Sequence, residues 1–112
     1  MLLATAVATG AGLWVAAPAH ADAVAYLVNV TVRPGYHFAS AEAALSYGYG
    51  ICDKTARGRA YADVMDDVRT DFATRDEFQA SYLISQAVNE LCPAQIWQLR
   101  NSAAGYRPPP GS

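Results

Sequence analysis

Apolar residues recur along this chain at three- and four-residue spacing, the period of an α-helix. The pattern is clearest between residues 61 and 72. There Tyr61, Val64, Met65, Val68 and Phe72 form one stripe, while Asp63, Asp66, Asp67 and Asp71 fall on the other side. This is how a surface helix lies on a core. Ahead of it, Ala41, Ala44, Leu45, Gly48 and Cys52 keep the same period behind Ser40, a residue type suited to capping a helix N-terminus. They predict a helix from Ala41 to about Ala56, ended by Gly58. Gly48 and Gly50 each weaken that helix by about 1 kcal/mol. Gly48 lies on its apolar face, so the close approach of a second helix is the expected reason for it. Further on, Ala80, Leu83, Ile84, Ala87, Val88 and Leu91 make the buried face of another helix. Its start reads as Thr74 with Glu77 three residues later, a capping box. Cys92 follows, and Pro93 either breaks the chain or opens the next helix at its first turn.

Two segments carry weaker signals. In Ala23 to Thr31 and just beyond, the β-branched residues Val28, Val30, Thr31 and Val32 favour a strand. A lone strand among helices has no partner, so the reading is a short helix led by Asp22, with Tyr26 and Val30 facing inward. Asn29-Val30-Thr31 also matches the N-glycosylation triplet, which matters only in a host that glycosylates its exports. A short last helix, Ala94 to Arg100, presents Ile96 and Leu99. Between the first two helices, Arg33-Pro34-Gly35 and Tyr36 to Phe38 read as a loop. From Asn101 the chain holds Gly105, Pro108-Pro109-Pro110, Gly111 and Ser112, and residues 101–112 read as a disordered tail. No internal repeat is visible. The expected fold is all-α, a small bundle of four to five short helices spanning residues 22–100.

The beginning of the chain changes the setting. Residues 2–17, LLATAVATGAGLWVAA, hold no charge, Pro18 ends the run, and Ala19-His20-Ala21 puts small residues at the two positions that signal peptidase reads. This is the layout of a secretory signal peptide over residues 1–21, cleaved after Ala21 or Ala23, although no Lys or Arg follows Met1. A membrane span needs about 20 apolar residues. The run is shorter than that, so no stable membrane span is expected after cleavage, and the expected location is secreted or cell-envelope associated. Charge is mild, with 8 basic against 10 acidic residues and a net of −2. The densest basic group, Lys54, Arg57 and Arg59, has Asp53 beside it. Nucleic-acid binding modules carry a denser basic patch, so that class is set aside.

Cys52 and Cys92 are the only cysteines of the 112-residue chain. Redox-active pairs are usually Cys-x-x-Cys at a helix N-terminus. Zinc needs more ligands than two cysteines and His37, the one histidine after the leader. The expectation is a structural disulfide, the kind that persists in oxidising compartments. Closing a loop of this length stabilises by roughly 3–4 kcal/mol.

The layout now reads as an acidic residue opening a short helix, a loop, and an Ala- and Gly-rich helix running through Gly50-Ile51 into Cys52. A helix that starts Gly58-x-x-Tyr61-x-x-Val64 follows, then an Ala-rich one ending in Cys92-Pro93. From Asp22 to Pro93 this resembles the small exported mycobacterial and actinobacterial proteins of a domain-of-unknown-function family, family 732. The resemblance implies a secreted or envelope-associated helical domain with one disulfide, and it brings no catalytic residues.

Candidate chemistry is sparse. Asp63, Asp67 and Asp71 stand on adjacent helical turns, where carboxylates hold a cation or work as an acid–base pair. The calcium-loop pattern is absent, and opposite an apolar stripe they are expected to form a solvated face. His37 has no Gly-x-Ser-x-Gly elbow to serve. No catalytic residue, metal or cofactor is therefore expected. The aromatic residues are the better lead. Tyr36, His37, Phe38, Tyr47 and Tyr49 lie close in sequence, with Tyr82 and Trp97 able to join them. Aromatics are enriched at interfaces and where a core edge meets water. The expected function is an exported, non-catalytic helical domain that binds a protein or envelope component through Tyr36, His37, Phe38, Tyr49 and Trp97, with weak self-association. The alternative is a small-ligand carrier, for haem or a lipid-like molecule, built on Tyr36, His37 and Tyr49, since exposed Tyr and His ligate haem iron.

Overall fold

The computed structural model describes residues 22–110. The leader read at residues 1–21 lies outside them. Among the described residues there are five α-helices and no strand: α1 (Ala23–Val32), α2 (Ala41–Ala56), α3 (Tyr61–Asp71), α4 (Glu77–Gln86) and α5 (Ile96–Ala103). The all-α bundle expected from the periodicity is what forms. None of these helices is long and apolar enough to cross a membrane.

Local chemistry starts each helix. The Asp22 carboxylate accepts from the Ala25 N–H at 2.8 Å, and the Ser40 hydroxyl accepts from the Ala43 N–H at 3.0 Å. Each satisfies one of the N–H groups that a helix start leaves without a partner. The segment of ambiguous propensity is thus the helix α1, because Tyr26 and Val30 find a helical core to enter. α3 has no side-chain cap. Its Tyr61 N–H is met from another helix, by the Ser102 hydroxyl of α5.

Two sequence expectations for α4 are corrected. The cap is Asp76, not Thr74. Asp76 accepts from the Phe78 and Gln79 N–H groups, while the Thr74 hydroxyl accepts from the Asp76 N–H and shapes the turn before the helix. The turn passes through Ala73, with a φ of +50°, and the helix starts at Glu77, two residues later than the capping box implies. The helix also does not run regularly to Leu91. After Gln86 the backbone widens into one π-helical turn, Ala87–Leu91, and a 3-10 turn, Pro93–Gln95, then leads into α5. Ala87, Val88 and Leu91 stay buried in the wider turn, so the apolar spacing does not reveal it.

The core is one cluster in which Tyr26, Ile51, Val64, Met65, Val68, Leu83, Ile84 and Val88 are almost wholly excluded from water. Tyr26 enters it with its hydroxyl donating to the Ala44 carbonyl at 2.8 Å, so the buried polar group is satisfied. Gly48 permits that contact. A Cβ there would lie 2.5 Å from Leu91 Cδ1 and 2.8 Å from the Tyr26 hydroxyl oxygen. The close approach expected at Gly48 is real, and it involves α1 and the π turn together. Cys52 and Cys92 are disulfide-bonded with Cα atoms 6.0 Å apart, which staples α2 to the end of the π turn.

The boundary expected at Asn101 moves. α5 continues to Ala103, and Tyr106 packs edge-on against Tyr61 with ring centroids 4.9 Å apart. Its hydroxyl donates to Glu77 at 3.1 Å and accepts from Arg69 at 3.4 Å. Ser102 and Tyr106 thereby give residues 101–106 a place in the fold rather than in a loose tail.

Candidate functional site

Helix α1 holds no charged residue from Ala23 to Val32. One face, Tyr26 and Val30, is buried. The opposite face is also apolar: Val24, Val28 and Val32 follow at four-residue intervals and are 70%, 53% and 74% exposed. A helix apolar on opposite faces is ordinarily covered on both, and among the described residues only one of these two faces of α1 is covered.

The two flanks of that valine stripe differ. On one, α1 meets α4. The Asn29 amide donates to Gln86 at 2.7 Å, so the asparagine of the glycosylation triplet is engaged inside a helix pair. One turn on, the Arg33 guanidinium lies over the Tyr82 ring at 4.1 Å and the Phe78 ring at 5.0 Å. Phe78 is itself 60% exposed. On the other flank lies an open groove of about 470 Å³ between α1, the loop after it and the start of α2. Leu27, Val30, Phe38 and Ala44 form its apolar lining, with Arg33 and His37 among its polar residues.

The sequence-predicted aromatic set divides between different places. Tyr36 is turned inward and buried, and its hydroxyl donates to the Gln79 carbonyl at 2.6 Å. Burial pushes its phenol above the ordinary value. Phe38 packs on Tyr36, Phe72 and Tyr47, and Tyr47 stacks on Phe72 at 5.2 Å with the planes 4° apart. These four rings close the bundle where the α1–α2 loop, α2 and the end of α3 meet. The Tyr47 hydroxyl donates to Asp71 at 2.7 Å. Burial, then the adjacent carboxylate, drive the Tyr47 phenol far above its usual range. His37 sits between two inward-facing rings and is itself exposed, with a φ of +51°. Of the predicted set, His37 and Phe38 line the groove. Tyr49 and Trp97 do not; they are exposed on α2 and α5, Trp97 under the Arg100 guanidinium. The Tyr36 and Tyr47 hydroxyls are occupied by protein acceptors, which leaves neither free as a ligand to iron.

The acidic face of α3 is tied down more than a solvated face would be. Asp67 accepts from Lys54 at 3.0 Å and from Arg59 at 2.8 and 2.9 Å. The Arg59 hydrogen bonds hold its carboxyl below the usual carboxylate value. Asp66 pairs with Arg69 at 2.8 Å. The Asp67 contacts lock α3 to the end of α2, and Arg69, which also pairs with Glu77, ties α3 to the start of α4. Among the described residues no group of three metal-ligating side chains converges.

Sequence reasoning missed the valine face. Its signal is a β-branched run without a single charge, in which strand and helix propensities compete. A family model described as "Protein of unknown function (DUF732)" matches residues 20–94. No curated protein and no solved structure matches the chain.

Proposed function

The chain belongs to the DUF732 family of proteins of unknown function, and we propose that it is an exported, non-catalytic domain that docks another protein through the uncharged face of its first helix. The observation that carries this reading is the exposure of Val24, Val28 and Val32 on a helix without charge. Covering each of those side chains on association is worth on the order of 1 kcal/mol. Phe78 extends the apolar surface beyond the Arg33 end of α1. Export is supported by the leader-like sequence of residues 1–21 and by the disulfide, which oxidising compartments preserve. The non-catalytic part is supported by the polar groups themselves. Asp66, Asp67, Asp71, Tyr36 and Tyr47 are spent on structural partners.

The test places a photo-crosslinking residue at Val28, and in a control chain at Ser85, an exposed position on α4. Each chain is expressed in the cells that make the protein. A discrete product from position 28 that is absent from position 85 is expected. The captured protein, purified, should bind the native chain directly and bind Val24→Asp or Val28→Asp about tenfold more weakly or worse. Position 28 giving no product, or the same products as position 85, overturns the reading.

A further inference from the structure

Resting on the export proposed above, we infer that the leader is cut between Ala21 and Asp22, and that the α-ammonium created there is a working part of the fold, docked on the carbonyl end of the π turn. The sequence offers two cuts. Ala19 and Ala21 are the small residues for one, Ala21 and Ala23 for the other.

The fold distinguishes what each cut leaves behind. Asp22 is tied in at three atoms. Its N–H donates to the Glu90 carbonyl, its own carbonyl accepts from the Tyr26 N–H at 3.2 Å, and its carboxylate accepts from the Ala25 N–H at 2.8 Å. Ala23 packs, partly buried, against the core. A cut after Ala23 removes all of this. It leaves Val24, an exposed residue, heading a helix that has lost its cap and carries an ammonium at the positive end of its dipole. A cut after Ala21 keeps every one of these contacts.

The receiving end is built for a cation. α4 and the π turn run on from Glu77 to Leu91, and the last carbonyls of a helix have no partners within it. The residues that follow supply few donors. Pro93 has no N–H, and the Gln95 N–H goes to the Cys92 carbonyl at 2.8 Å. The Glu90 carbonyl is met by Asp22 instead, two residues before the disulfide at Cys92. Hydrolysis adds water across the Ala21–Asp22 peptide bond. Ala21 departs with a carboxylate, and Asp22 keeps an amine that is mostly protonated at neutral pH, since α-amines titrate at about 7.7–8.0. One N–H donor becomes an ammonium with three, at the negative end of a helix. Charge-assisted hydrogen bonds are roughly twice as strong as neutral ones. The same charge is unfavourable at the start of α1, but the Asp22 carboxylate stands there, bonded to Ala25, and offsets it.

The test has two parts. The protein is recovered from the envelope and culture fluid of the cells that make it, and intact mass with N-terminal sequencing should show Asp22 first. Three disulfide-intact chains ending at Ser112 are then unfolded in urea at about pH 6, where an α-amine is charged. One begins at Asp22 with a free amine, one at Asp22 with an acetylated amine, and one at Val24. The Val24 chain should have an unfolding constant about tenfold higher or more. Acetylation keeps the N–H that meets Glu90 and removes only the charge. It should raise the unfolding constant about two- to fivefold, a change that a purely steric role of residue 22 does not produce. An exported chain that begins at Val24 or retains Ala21, a Val24 chain as stable as the Asp22 chain, or an acetylated chain as stable as the free one overturns the inference. A start at Val24 leaves export standing, whereas a chain kept inside the cell with residues 1–21 attached overturns export as well. The crosslink at Val28 is read separately from either result.

Discussion

The Tyr26 hydroxyl donates to the Ala44 carbonyl at 2.8 Å, across the contact between α1 and α2. Tyr26 has no exposed surface, and this bond makes its burial tolerable, since an unmet hydroxyl in an apolar core costs more than the bond itself contributes. Through it, the helix that carries the valine face has a fixed position relative to the helix that carries half of the disulfide.

Tyr26→Phe removes the donor and keeps the ring. The expected loss is about 1 kcal/mol, read as a lower urea midpoint with an unchanged slope. The same residue sets an alkaline limit. Burial pushes the Tyr26 phenol up to about 12, and burial likewise raises Tyr36, Tyr47 and Tyr61. Each holds its proton more tightly in the folded chain than in the unfolded one, where tyrosine titrates near pH 10. Their contribution is therefore complete below pH 10 and is lost as pH rises from there through about 12. Stability measured between pH 9 and about 12 should fall steeply, and less steeply in Tyr26→Phe. A flat profile would show that these phenols are not buried.

Gly48 and Gly50 give opposite expectations from the same substitution. At Gly48 a methyl group would meet Leu91 and Tyr26 within 2.8 Å. Gly48→Ala should therefore destabilise by about 1–3 kcal/mol, despite the better helix propensity of alanine. At Gly50 a Cβ meets nothing within 4 Å, so Gly50→Ala should stabilise by up to about 1 kcal/mol. Thermal melts of the two variants side by side decide it, and two shifts of the same sign contradict the packing.

How far these features were legible depends on whether a residue acts through its neighbours in sequence. Asp22 and Ser40 cap helices through N–H groups three residues on, and both were readable. Thr74 and Asp76 are equally good caps two residues apart, and residue type alone does not show that Thr74 bonds the Asp76 N–H while Asp76 takes the helix start. The π turn at Ala87–Leu91 escaped because its apolar residues are buried whether the turn is regular or wide. At the site, the aromatic run 36–38 was visible as a cluster. Which rings turn inward was not, because loop residues follow no fixed period and the positive φ of His37 is set by the packing around it. The valine face was hidden for another reason. Periodicity reveals a helix by contrast between faces, and α1 offers little.

The disulfide joins residues 40 apart in sequence. Replacing both cysteines, Cys52→Ala with Cys92→Ser, removes the loop constraint from the unfolded chain. A loss of about 4 kcal/mol is expected, a large part of the stability of so small a domain. The variant should be compared with the native chain by urea unfolding, without reductant for the native chain. An unchanged midpoint would mean that the link is not structural.

Tyr106 tests the end of the fold. It contributes an edge-on ring pair with Tyr61 and joins Arg69 and Glu77, which are paired with each other across the connection between α3 and α4. An aromatic pair of this kind contributes about 0.5–1.5 kcal/mol beyond burial. Truncation after Ala104 removes the ring and the hydroxyl that sits between Arg69 and Glu77. It should lower stability by about 1–2 kcal/mol. Amide exchange should quicken along the Phe72–Asp76 connection more than in α1, which lies outside the contacts of Tyr106. Tyr106→Phe separates the two contributions, since it keeps the ring pair and loses only the hydroxyl. If the truncated chain matches the native one in both stability and exchange, the segment after Asn101 is the loose tail that its composition suggests.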